Sequence, residues 1–129
     1  VLGGSQLRPN IHLDDMVNSY VTILNADINK INNEIFNVGF KNQTVNELAN
    51  DVKEIIGEDI KIVKSHSNDK RSYHVSSDKI KDVLGFTPLK TVKDAVEDLK
   101  EAFQSGLLPN SLTDEKYFNI KRMQSLHLK

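Results

Sequence analysis

RPNIHLDDM, residues 8–16, sets an Arg and a His ahead of two adjacent Asp, and the chain then runs on in an apolar-periodic pattern. Residues 8–12 are short and turn-flanked, which predicts a strand. Asp14 or Asp15 is then expected to N-cap a helix to about Leu24, with Met16, Val17, Tyr20, Val21 and Leu24 on its inward face. A strand running into a helix is the first sign of a mixed fold. The same nine residues also offer a metal reading through His12, Asp14 and Asp15. Adjacent Asp residues at a helix start point in different directions, and a tight site needs three or four converging ligands. Capping and interaction with the helix dipole are sufficient work for both carboxylates.

Working outward, the two hydrophobic periods alternate. Residues 34–38, EIFNV, read as a strand stopped by Gly39. Thr44 and Glu47 form a capping box that opens a helix with Val45, Leu48, Val52, Ile55 and Ile56 inward and Gly57 as its stop. Residues 59–64, DIKIVK, alternate polar and apolar as a half-buried strand does. A polar, loop-like stretch covers residues 65–75. Ser76 or Ser77 then caps a short helix that ends at Gly85. Thr91 caps another, with Val92, Ala95, Val96, Leu99 and Phe103 expected inward. The fold class expected is α/β or α+β, helices with short strands between them.

The 129 residues amount to one domain's worth of chain or to one half of a larger two-part enzyme, and 38% hydrophobic with 27% charged residues describe an ordinary globular composition. With 17 basic and 18 acidic side chains well mixed along the chain, there is no electrostatic footprint for nucleic acid or an anionic membrane. Cys is absent, which excludes thiolate metal sites and fits a cytoplasmic location. No apolar run approaches the roughly 20 residues of a membrane span. The opening VLGGSQ reads as a chain entered midway.

None of the six Gly forms a dinucleotide-binding turn, and no phosphate loop or nucleophile elbow is present. Tyr117 and Lys121 match the YxxxK spacing that lets a lysine lower a phenol's pKa for proton transfer. In a Lys-rich chain this short pattern arises by chance, and it sits in a ragged tail with no nucleotide-binding turn ahead of it. Packing through Phe118 and Ile120 is the simpler reading. Asp69, Arg71 and Tyr73 alternate, so an extended backbone would place an acid, a guanidinium and a phenol on one side. That trio suits a phosphorylated, hydroxyl-rich ligand. Spacing alone favours a surface Asp–Arg pair beside a half-buried Tyr.

Three segments, RPNIHLDDM, FNVGFKNQTVNELA (36–49) and DKRSYHVSSDKIKDVLGFTP (69–88), in this order resemble the C-terminal half of extended short-chain dehydrogenases that act on nucleotide sugars, the NAD-dependent epimerases and dehydratases. The similarity runs from about Gly3 to about Gly106 and more loosely into YFNIKRM. The resemblance implies that residues 1–129 form a C-terminal substrate-binding domain, a fragment of a Rossmann-type enzyme. The N-terminal NAD-binding Rossmann domain and its catalytic residues would be absent from this chain. By itself it would then bind no cofactor and no metal and carry no catalytic residue, with NAD held by the full-length enzyme.

The nucleoside-diphosphate sugar would be its ligand and the Rossmann domain its partner. Carried over position by position, Arg8 would contact the nucleotide phosphates. Asn42 would lie near the diphosphate, and Asp69, Arg71 and Tyr73 would close over the nucleotide. The epimerases place a diphosphate-binding Arg where this chain has His66, so the role would pass to Arg71 or mark a different subgroup. A half-enzyme also exposes the apolar surface its other half would cover, which predicts association, as a homo-oligomer, or marginal stability. The alternative is a stand-alone, non-enzymatic binding or oligomerisation module.

Overall fold

The computed structural model describes residues 1–68 and 71–127. It is organised as two compact units, Val1–Asp98 and Leu99–Lys129. In the first, strand β1 (Leu7–Asn10) runs into helix α1 (Leu13–Leu24), followed by the single turn α2 (Ile28–Ile31), strand β2 (Lys41–Thr44), helix α3 (Val45–Ile56) and helix α4 (Asp78–Leu84). Helix α5 (Val92–Gln104) begins in the first unit and ends in the second, which adds a 3₁₀ turn (Glu115–Tyr117) and helix α6 (Asn119–Ser125).

The sheet is a two-stranded antiparallel ribbon in which Leu7 lies opposite Thr44, Arg8 opposite Gln43, Pro9 opposite Asn42 and Asn10 opposite Lys41. Phe40 N–H donates to the Asn10 carbonyl at 2.7 Å and Val45 N–H to that of Gln6 at 3.2 Å, extending the pairing past both strand ends. The ladder therefore forms on KNQT, a polar tetrapeptide without a strand pattern.

The two segments expected as strands form no ladder. Residues 34–38 are held instead by α4, where Lys79 pairs with Glu34 at 2.5 Å and lies 5.2 Å from the centre of the Phe36 ring. Residues 59–64 give way to one isolated parallel bridge between Leu2 and Ser65. A strand needs a partner edge as well as a pattern, and one edge of β1 is taken by β2 while the other carries Ser72 and Tyr73.

Local signals act as expected at α3. The Thr44 hydroxyl accepts from Glu47 N–H at 3.1 Å while the Glu47 carboxylate accepts from Thr44 N–H at 2.7 Å. The backbone bond from Thr44, then its hydroxyl, holds the Glu47 carboxyl below its ordinary pKa. Thr91 and Asp94 repeat the device at α5, at 2.6 Å and 3.2 Å. Gly85 ends α4 at φ 71°, where a side chain would be strained.

Helix α1 departs from the expected pattern twice. Its N-cap is His12, whose Nδ1 accepts from Asp14 N–H at 3.1 Å, not Asp14 or Asp15. Its buried side is polar, made of Asp15 and Ser19, while Leu13, Val17, Tyr20 and Leu24 face solvent, Leu24 at 83% exposure. Asp15 decides the rotation. Its Oδ2 accepts from the backbone N–H of Leu89 at 3.0 Å and of Lys90 at 2.8 Å, so the carboxylate must turn inward. The apolar stripe is then carried outward.

Among the described residues, the buried apolar side chains are Ile80 on α4, Phe86 in the turn that follows it and Val96 on α5. Leu99 and Phe103, also expected inward, are each 55% exposed. In the second unit Arg122 pairs with Glu115 at 2.6 Å, and the Ser125 hydroxyl donates to the same carboxylate at 3.0 Å.

Candidate functional site

The ribbon organises the site. Residues opposite one another in an antiparallel pair share a face, so Arg8 and Gln43 lie on one side and Pro9 and Asn42 on the other. The outer edge of β1 holds residues 71–75. Tyr73 N–H donates to the Leu7 carbonyl at 3.1 Å, and Leu7 N–H donates to the Ser72 hydroxyl at 2.9 Å. Arg8 completes the attachment. Its Nη1 donates to the Arg71 carbonyl at 2.8 Å and to its neighbour Leu7 at 2.8 Å, and its guanidinium carbon lies 5.4 Å from the centre of the Tyr73 ring.

The Arg8 side chain thus meets the Tyr73 ring and the Arg71 backbone. Arg8 is half-buried, and Tyr73 remains 48% exposed. The pairing of a planar cation with an aromatic ring on an exposed rim suits a ligand that carries phosphate and a flat base. Asp69 lies outside the described residues. His66, at the position of the epimerase arginine, is exposed.

Asn42 lies on the opposite face from Arg8, and its amide is engaged with the chain itself. Its Nδ2 donates to the Val75 carbonyl at 2.9 Å and its Oδ1 accepts from Val75 N–H at 2.9 Å. This reciprocal pair copies a backbone ladder and pins the end of the 71–75 segment to β2. Ser72 and Val75 matter here and had no signal in the sequence: one offers a lone hydroxyl, the other only its backbone. Under the Arg8 face, Gln43 is buried and its amide donates to Asp51 of α3 at 2.8 Å, which anchors the ribbon to the helix.

A second cluster gathers His12, Asp14 and Asp98, whose ligand atoms all lie within 4.8 Å of one another. The Lys90 ammonium reaches Asp14 at 2.7 Å and Asp98 at 3.5 Å. Its hydrogen bond and charge hold the Asp14 carboxyl below its usual range, while Asp14 raises Lys90 in return. The His12 Nδ1 is an acceptor, so its ring proton lies on Nε2, 3.0 Å from Asp98 Oδ2. The place a cation would take is already served by Lys90. These residues knit α1 to α5. Tyr117 is also taken up locally: Lys116 lies 4.9 Å from its ring centre, while Lys121 lies over Phe118 at 4.3 Å.

No family model and no curated protein matches this sequence. Solved structures do. UDP-glucose 4-epimerase from Thermotoga maritima, solved with UDP-glucose, matches with a TM-score of 0.67 and 28% identity over 81% of this chain. The chain shares the fold of part of the extended short-chain dehydrogenases. RMD from Pseudomonas aeruginosa, solved with NADPH, matches at 0.66 and 20% identity, and L-threonine dehydrogenase from Clostridium difficile at 0.66 and 15%, each over 81% of this chain. The chain spans about a third of the length of these proteins, 34%, 35% and 34% in turn. Helices with short strands, expected from the sequence, are the architecture they have in common with it. Among the described residues, no helix is long and apolar enough to cross a membrane.

Proposed function

We propose that this chain is the nucleoside-diphosphate-sugar-binding part of an NAD-dependent epimerase or dehydratase of the extended short-chain dehydrogenase type, placed C-terminal to its Rossmann domain in a cytoplasmic enzyme. The observation that carries this reading is Arg8 seated against Tyr73 and the Arg71 backbone, in a chain that resembles a UDP-glucose-bound epimerase at 28% identity over 81% of its length. Arg8 and Arg71 grip the diphosphate, Tyr73 stacks on the base or ribose, and Asp69 accepts from hydroxyls. Asn42 acts by holding the segment that carries them.

NAD belongs to the other domain and supplies transient hydride removal there. This chain supplies binding and orientation and turns nothing over by itself. The exposed stripe Leu13, Val17, Tyr20 and Leu24 on α1 is the surface against which that domain packs.

Calorimetric titration of UDP-glucose, UDP, uridine and NAD into the chain tests this. UDP-glucose and UDP should bind, uridine should bind at least about tenfold more weakly for want of its charged contacts, and NAD should not bind. Arg8→Ala and Arg71→Ala should each weaken UDP. UDP binding indifferent to both substitutions, or NAD binding, would overturn the assignment in favour of a stand-alone module.

A further inference from the structure

Ser72 fastens the 71–75 segment to the edge of β1 by its side chain. Its Oγ accepts from the Leu7 N–H at 2.9 Å, and its own O–H donates to nothing among the described residues. The residue is exposed, in a stretch, 71–77, that belongs to neither helix nor strand. Lys70 and Arg71 stand immediately before it in sequence, a basic run that the carboxylates of a modifying enzyme can read.

The hydroxyl also works beside a guanidinium. Leu7 is gripped twice, since Ser72 takes its N–H and Arg8 Nη1 donates to its carbonyl at 2.8 Å. The same Nη1 donates at 2.8 Å to the carbonyl of Arg71, which is joined directly to the nitrogen of Ser72. In both bonds the acceptor is a neutral carbonyl, and a bond to an anionic oxygen is roughly twice as strong. Ser76 gives the contrast. Its hydroxyl donates to the Asp78 carboxylate at 2.6 Å, so a phosphate there would meet a like charge.

We propose that Ser72 is a phosphorylation site, and that phosphate on it closes the Arg8 face to nucleotide. A separate kinase supplies the terminal phosphoryl group of a nucleoside triphosphate. The Oγ–P bond forms as the bond to the departing nucleoside diphosphate breaks, and the hydroxyl proton leaves to solvent. The new group carries nearly two negative charges at neutral pH and draws the Arg8 guanidinium from the Arg71 carbonyl and the Tyr73 ring. Taking the cation for itself, it also repels a ligand's diphosphate. That loss of nucleotide affinity rests on the reading of this face as the diphosphate site. The modification and its pairing with Arg8 do not.

Two experiments test this. Incubated with radiolabelled ATP and a serine kinase that selects basic residues ahead of its acceptor, the parent chain should take up label and Ser72→Ala should not. The full chain phosphorylated at Ser72, made by ligation of synthetic segments, should show by ³¹P NMR a phosphate that titrates below the roughly pH 6 of an ordinary phosphomonoester. Arg8→Ala in that phosphorylated chain should restore the ordinary midpoint. Phosphorylation should also weaken UDP binding about tenfold or more. The proposal is overturned by label that persists in Ser72→Ala, by label in neither chain, by a midpoint that Arg8→Ala leaves unmoved, or by UDP affinity that phosphorylation does not change. A parent chain that never binds UDP overturns the nucleotide-sugar reading instead, and the label and the ³¹P midpoint then decide this proposal.

Discussion

Arg8 and Tyr73 are 65 positions apart in sequence, yet the guanidinium lies 5.4 Å from the centre of the phenol ring. The contact is framed by two backbone attachments, Arg8 Nη1 to the Arg71 carbonyl and Tyr73 N–H to the Leu7 carbonyl. Charge alone does not account for this arrangement, because it uses the planar fork of an arginine to reach a carbonyl and a ring together. Arg8→Lys keeps the charge and loses the fork. It should weaken UDP binding about tenfold or more and speed hydrogen exchange at Tyr73. UDP affinity equal to that of the parent chain would show that charge alone is sufficient.

Asn42→Ala removes both halves of the reciprocal bond with Val75. Two part-buried backbone groups lose their partner, so the chain should lose about 1–3 kcal/mol in urea denaturation. Exchange at Val75 should rise while the centre of α3 keeps its protection. Uniform loss of protection along α3 would mean that Asn42 supports the whole unit rather than this segment.

Asp15, 3% exposed, is the acceptor for two backbone N–H groups in the loop before α5. Asp15→Ala leaves both donors without it and should destabilise by about 2–4 kcal/mol in urea denaturation. Asp15→Asn keeps one acceptor oxygen and should recover part of the loss. Equal effects from the two variants would argue that the negative charge, rather than the geometry, is what the loop needs.

The α1 stripe is accessible, so changing it should alter association more than stability. Val17→Glu with Leu24→Glu should shift sedimentation velocity profiles toward a smaller species and leave the urea midpoint nearly unmoved. A parent chain that is monomeric at high concentration would remove the basis for this expectation.

Glu47 and Asp94 make the acid limb predictable. The Thr44 backbone holds the Glu47 carboxyl below its ordinary value, and the Thr91 hydroxyl does the same for Asp94. A carboxyl whose folded pKa is depressed contributes stability above its unfolded pKa and loses it as pH falls through the folded one. Stability should be flat near neutrality and decline from roughly pH 4–5 downward, where free carboxylates begin to protonate. Glu47→Gln and Asp94→Asn should lower stability at neutral pH and flatten that decline. Urea midpoints at intervals from neutral to acid pH read both effects.

The sequence by itself determined what is local. The Thr44–Glu47 box, the stops at Gly57 and Gly85 and the cap at Thr91 act over a few residues, so their partners are in view of one another along the chain. The likeness of three ordered segments to nucleotide-sugar enzymes was legible too, and it named Arg8, Arg71 and Tyr73 as residues of one ligand site, while the contact between Arg8 and the other two came from the fold. Tertiary structure decided everything that needs a distant partner. β1 chose the polar KNQT over the better-patterned residues 34–38 and 59–64, because pairing depends on which edge arrives. Asp15 chose the buried side of α1 through a loop 74 residues away, against the helix's own apolar periodicity. Asn42 was turned to Val75 in the same way. Periodicity reports that a face is apolar, but only the rest of the fold determines what covers it.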